Sequence, residues 1–89
     1  MNFTLRWKSK AVEHMAALWM NAKDRKAITA AANAIEKQLA RDPFHNSESR
    51  DKGRRIMIEP PLGVIFKVHR KKRIVDILRV WQFGKRPKK

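Results

Sequence analysis

Residues 53–86 read GRRIMIE, PPLG, VIFKVHR, KKR and IVDILRVWQFGKR, and this stretch limits what the chain can build more than any other. Ile56 and Ile58 alternate with Arg55 and Met57. Val64, Phe66 and Val68 alternate with Ile65, Lys67 and His69. Residues 74–83 are rich in β-branched and aromatic side chains. Alternation with a period of two, bounded by Pro, Gly and charge clusters, predicts half-buried antiparallel strands. The first connection is placed at Pro60-Pro61-Leu62-Gly63, because Pro cannot donate to a ladder and Gly permits a positive φ. The second is Arg70-Lys71-Lys72-Arg73. A three-stranded meander with a basic face or rim is expected.

On the last strand, Arg79 and Trp81 share a face by period two, as do Val75 and Ile77. Ile74, Leu78 and Val80 are assigned to the opposite face. Both faces are partly apolar, which suits a central strand.

Ahead of this stretch the pattern changes. Phe3, Leu5 and Trp7 alternate with Thr4, Arg6 and Lys8 over residues 2–8, which predicts a strand. Ser9 is placed as the cap of a helix whose inner stripe is Val12, Met15, Ala16 and Trp19, with Ala22 nearby and His14 in solvent. Asp24 is placed as the cap of a second helix. Its seam is Ile28, Ala31, Ala32, Ile35 and Leu39, with Glu36 and Lys37 in solvent. Arg41 suits the negative end of the helix dipole, and Asp42-Pro43 stops the helix. The two helices form an antiparallel hairpin around residues 21–23. Residues 44–52 read as a polar loop from which Phe44 returns to the core. The fold class is therefore α+β in one domain over residues 1–89, closed by a short basic tail at 84–89.

The net charge is +14 and the excess is uneven. Residues 1–50 carry 9 basic and 5 acidic side chains, and residues 51–89 carry 13 and 3. Such a field concentrates polyanions at the surface, so nucleic acid, a ribosome or an acidic protein is the expected partner. Four adjacent cations at 70–73 repel one another, and the turn either receives an anion or blocks edge-to-edge pairing. Cysteine is absent, which removes disulfide and thiolate chemistry and fits a cytoplasmic setting. No apolar run approaches the roughly 18 residues of a membrane span, and the first ten residues lack a signal core.

The cofactor and catalytic motifs are missing: there is no P-loop, dinucleotide fingerprint, HExxH or nucleophile elbow. His45, Asn46, Ser47 and Glu48 match no metal-ligand spacing, so no metal and no cofactor is assigned. Cation chemistry remains. Arg and Lys hold phosphates and stabilise phosphoryl transition states without a metal. Cleavage of RNA by its own 2′-hydroxyl needs positioning, charge stabilisation and a proton shuttle. Arg55, Lys67, His69 and Arg79 are candidates for these tasks on one face, with Trp81 to stack on a base.

The order strand, helix, helix, three strands resembles the RelE/ParE superfamily of bacterial toxin–antitoxin toxins. The likeness rests on Trp7 before the amphipathic helix at 12–19 and on the seam at 35–39 running into Asp42-Pro43. It rests further on GRRIMIE, VIFKV and IVDILRVW, closed by Gly84-Lys85-Arg86. The resemblance implies a helical hairpin packed on an antiparallel sheet and a cognate acidic antitoxin that wraps the toxin. It also implies one of two targets. RelE-like members cut messenger RNA at the ribosome, and ParE-like members inhibit DNA gyrase. An orphan member acting only as a binding module is the third possibility.

By this resemblance Arg55 and Arg86 are catalytic candidates, and Arg79 joins them from the cation chemistry of the strand face. Lys52, Arg54, Lys67, His69, Trp81 and Lys85 are the RNA- or partner-binding candidates. The nuclease set is incomplete. Met57 stands where a second cation is common, and Gly63 falls near the usual third-strand arginine. Gln82 replaces a histidine, and the chain has no tyrosine. His69 is the candidate substitute for the proton shuttle, and Arg54 for a displaced arginine.

Overall fold

The computed structural model describes residues 2–82. The elements run β1 (Thr4–Trp7), α1 (Ser9–Asn21), α2 (Arg25–Arg41), β2 (Ser47–Ser49), β3 (Arg54–Glu59), β4 (Leu62–His69) and β5 (Ile74–Gln82). They form one five-stranded sheet in the order β1-β5-β4-β3-β2. The meander β3-β4-β5 is antiparallel, whereas β1 joins the outer side of β5 in parallel. The α+β expectation of a strand, a helical hairpin and a three-stranded meander holds, and β2 is an addition. Residues 47–49, read as loop, pair antiparallel with β3 through Ser47–Met57, Glu48–Ile56 and Ser49–Arg55. Their small polar side chains carry no apolar alternation, and a short polar strand is a common way to finish a sheet edge.

The second helix matches its sequence signals. The Asp24 side chain accepts the Ala27 N–H at 3.0 Å, and the helix ends at Arg41 before Asp42. Ile28, Ala31, Ile35 and Leu39 are buried against the sheet, with Ala32 half-buried beside them. Glu36 departs from expectation: it is half-buried and accepts the Trp7 Nε1–H at 2.9 Å, which ties α2 to β1.

The first helix is rotated from its predicted stripe. Ala11 is fully buried, and Met15, Leu18 and Ala22 pack against the core at the same helical spacing. Val12 and Trp19 instead remain 50% and 43% exposed. Apolar side chains surround much of α1, and the face with small alanines at both ends is the one laid on the sheet. Ser9 is the first helical residue, not the cap; Lys8 occupies that position without a side-chain bond. His14 is half-buried, with Nδ1 shielded and unpartnered.

The core lies between the hairpin and one sheet face. Met57, Leu62, Val64, Phe66, Val75, Ile77 and Val80 line that face and are almost completely buried. The register of β5 shifts against β4 between Ile65 and Phe66, so that Ile65 faces Arg79 and Phe66 faces Ile77. Leu78 is the extra residue. This bulge reverses the parity of the strand. Val75, Ile77 and Val80 all reach the core, while Ile74, Asp76, Arg79 and Trp81 turn the other way. The predicted grouping of Ile74, Leu78 and Val80 on one face is therefore corrected.

The first connection is the pair Pro60-Pro61 alone, with a cis peptide bond between them. Leu62 and Gly63 already belong to β4. The second connection is residues 70–73, as expected.

Candidate nucleic-acid interface

The sheet face turned away from the helices is ordered in rows by the strand register. One row runs Arg54, Lys67, Asp76, Arg6 across β3, β4, β5 and β1. The next is Ile56, Ile65, Arg79, and the third is Ile58, Gly63, Trp81. Neighbours in a row stand about 5 Å apart. The rows make an apolar platform of Ile56, Ile58, Ile65 and Trp81, bordered by the exposed cations Arg54, Lys67 and Arg79. Ile58 is 45% exposed, and it shares its row with Trp81 across Gly63.

Gly63 makes the platform flat. A Cβ on it would stand 2.5 and 2.7 Å from the Trp81 Cζ2 and Cε2 atoms, so the indole lies directly over the glycine backbone. Gly63 is thus required for close approach of a ring, not for the turn. The same packing explains why no arginine stands there. Met57 is 2% exposed within the core, so no cation is tolerated at that position either.

Asp76 anchors the charged end of the face. Arg6 donates from Nε and Nη2 to its two carboxylate oxygens at 2.7 and 3.1 Å, and His69 Nε2 lies 2.9 Å from Oδ2. The Arg6 bonds lower the Asp76 carboxyl to a pKa of about 2. Burial opposes them, and the His69 bond and the charges of Arg6 and Lys8 assist. Asp76 therefore stays ionised through the neutral range. It holds the His69 ring by one nitrogen and leaves Nδ1 as the nitrogen that can meet a ligand. A lone acid within an apolar strand was the sequence signal for this cluster, because a buried carboxylate demands partners.

Arg55 is not on this face. It pairs in register with Phe66 and lies on the helix side of β3. There its guanidinium bonds Ser47 Oγ at 2.8 Å, Ser47 O at 3.1 Å and Ser49 Oγ at 3.1 Å. The expectation of Arg55, Lys67, His69 and Arg79 on one face is corrected, and Arg54 is the β3 cation that joins the other three. Lys52 is exposed in the 3₁₀ turn Asp51–Gly53, with φ at 62°. A hollow of about 470 Å³ beside Ile65 is lined by Ser49, Arg50, Asp51 and Arg54, and extends the face toward that turn. Lys85 and Arg86 lie outside the described residues.

Among the described residues no three His, Cys, Asp or Glu side chains gather to hold a metal ion. No helix among them is long and apolar enough to cross a membrane.

No protein-family model matches the chain, and no curated protein matches it in sequence. Solved structures do match. The RelBE2 toxin–antitoxin complex of Mycobacterium tuberculosis holds a chain similar to this one with a TM-score of 0.76 at 20% identity, covering 92% of this chain and 99% of that one. A chain of the chromosomal ParDE system of Pseudomonas aeruginosa matches with a TM-score of 0.71 at 18% identity, over 92% and 97%. The archaeal RelE–RelB complex of Pyrococcus horikoshii gives 0.58 at 14%, over 97% and 100%. From its strand order, its helical hairpin and these matches along nearly its whole length, the chain has the RelE/ParE toxin fold.

Proposed function

We propose that this chain is the toxin of a type II toxin–antitoxin pair, working in the cytoplasm, and that it acts on translation by binding messenger RNA at the ribosome through the open sheet face. The observation that carries this reading is the platform of Ile56, Ile58, Ile65 and Trp81 set among Arg54, Lys67 and Arg79. Unpaired bases stack on aromatic and apolar surface, and cations along its border take the phosphates. His69, oriented by Asp76, is the group on this face able to move a proton. Arg79 and Lys67, exposed on the same face, would stabilise phosphoryl charge, whereas Arg55 on the opposite side of the sheet does not reach them.

The partner is an acidic antitoxin. Its amphipathic helix fits the groove of about 470 Å³ between α1 and α2, lined by Trp7, Val12, Met15, Trp19, Ala32 and Glu36. That groove is mostly apolar, its Val12 and Trp19 remain partly exposed with Arg25 4.6 Å from the Trp19 ring centre, and the chain's charge of +14 attracts an acidic segment.

The test is a cell-free translation reaction with a defined messenger, its RNA ends mapped by primer extension. New ends that need ribosomes, and that are lost with Arg79→Ala plus Trp81→Ala, are the expected result. Intact messenger and undiminished translation would remove the reading. A second reading, inhibition of DNA gyrase without cleavage, is favoured by Arg55 lying on the other side of the sheet. It predicts intact RNA and lost supercoiling activity in a gyrase assay.

A further inference from the structure

Around the β2–β3 edge, away from the platform, lies a second hollow of about 280 Å³. Its charged lining is Arg50, Arg54, Arg55 and Arg70, set around the ring of Phe44, and no carboxylate belongs to it. Arg70 lies 4.3 Å from the Phe44 ring centre and Arg55 lies 5.1 Å from it. Arg55 is further held by the three bonds it donates to Ser47 and Ser49, all to neutral acceptors. The Arg50 N–H donates to the Arg54 carbonyl at 2.7 Å and closes the turn between them. Arg50 lies 3.7 Å from Glu48 in a loose and exposed ion pair, and Asp51 follows it on the side of the hollow beside Ile65. Guanidinium groups held in place by neutral partners keep their charge for a ligand and lose little freedom on binding one.

We infer that this cleft is a phosphate site that takes the backbone of the RNA strand as it leaves the platform. The proposal rests on the RNA reading above. Continuity supports it: Ser49, Arg50 and Arg54 line both this cleft and the hollow beside Ile65, so one cationic path runs from the open face around the sheet edge. Arg70 begins the four-cation turn, which gives that turn an anionic visitor. Four arginines suit phosphate oxygens because each offers paired donors in a fixed plane. The faces of Phe44 are engaged by guanidinium groups, so the cleft reads phosphate and not base.

The experiment compares the full chain with the double variant Arg50→Ala, Arg70→Ala. Arg55 is left in place because it bolts β2 to β3, and circular dichroism checks the fold. Inorganic phosphate is titrated while the Arg55 side-chain Nε–H resonance is followed. A short single-stranded RNA is then titrated by fluorescence anisotropy over a series of salt concentrations. The expected result is a phosphate-dependent shift of Arg55 that the variant loses. RNA affinity should fall about tenfold in the variant. The slope of log affinity against log salt should become shallower by about 1.4, at about 0.7 for each lost contact on a single strand. RNA binding by the folded variant with unchanged affinity and slope overturns the cleft. Failure of the unaltered chain to bind RNA, with phosphate still moving Arg55, overturns the RNA reading instead and assigns the cleft to an acidic peptide. The variant Arg79→Ala separates the two sites: it weakens RNA binding and leaves the phosphate shift intact.

Discussion

The two faces of the sheet are made from the same three central strands, yet they obey different rules. Beneath the helices stand Met57, Val64, Phe66, Val75, Ile77 and Val80, each at most 3% exposed. On the other side stand Ile56, Ile58, Ile65 and Trp81 among Arg54, Lys67 and Arg79, in partial or full contact with solvent. Both faces are rich in β-branched and aromatic residues, so composition does not distinguish them. Layering does. The first face has a helical hairpin to exclude water from it; the second has nothing over it among the described residues. Substitutions on the first face should cost stability, and those on the second should cost binding.

The strongest way to break this division is Phe66→Ala. Phe66 is fully buried at the centre of the core. Truncation should destabilise by about 3–5 kcal/mol, through lost transfer energy and the cavity left behind. In a domain of this size that is most of the stability available. Urea denaturation followed by circular dichroism measures it. A loss below about 1 kcal/mol would mean the core face is not the packed one.

Gly63→Ala sits at the boundary between the two regimes. The new methyl would meet the Trp81 ring at 2.5 Å, and the half-buried ring must swing off the sheet. A cost of about 1–3 kcal/mol is expected from overpacking. It should come with a red shift in fluorescence and weaker RNA binding. A substitution that alters neither stability nor emission would show that the indole does not rest on Gly63.

Legibility followed the same division. The second helix was readable because cap, seam and stop agreed: Asp24, the 28–31–35–39 spacing, and Asp42-Pro43. The meander and its 70–73 turn were readable because alternation and punctuation coincided. The phase of the first helix is not legible because its apolar arc, from Leu18 and Ala11 through Met15 to Val12 and Ala16, is wider than the strip the sheet covers, and only the sheet selects Ala11. The bulge at Leu78 was invisible, since one extra residue in an unbroken apolar run leaves no mark on composition. Yet that bulge decides which side Arg79 and Trp81 take. Arg55 was placed with them because alternation pairs residues along a strand without saying which parity faces the helices.

Asp76→Asn tests the charged end of the open face. The carboxylate is nearly buried while Arg6 is half-exposed and can rehydrate, so the expected loss is modest, about 1–2 kcal/mol near neutral pH. The pH dependence is more telling. The folded carboxyl titrates near 2 against 3.8 for an unconstrained one, so between these values the unfolded chain binds more protons. The contribution of Asp76 is complete above about pH 4 and is lost as the pH falls through 2. Urea midpoints of the unaltered protein should therefore drop more steeply over that interval than those of the asparagine variant. Parallel curves would mean that Arg6 does not hold the carboxylate.

The smallest effect belongs to Ile58→Thr, and it sharpens the comparison most. Ile58 is one register step from Met57, in the same strand, yet 45% exposed against 2%. Threonine keeps the β-branch, so strand preference is nearly constant and only the removed apolar surface differs. On an uncovered face the change in stability should lie within about 0.5 kcal/mol. RNA affinity should fall severalfold, because the stacking platform loses one of its edges. Calorimetric melting and the anisotropy titration provide the two numbers. A loss of more than about 1 kcal/mol would require something that packs over Ile58 in the folded chain, and the open face would then not be open. Unchanged stability with unchanged RNA affinity would shift binding from the apolar platform to the cations at its border, since Arg54, Lys67 and Arg79 would remain where Ile58 had made no difference.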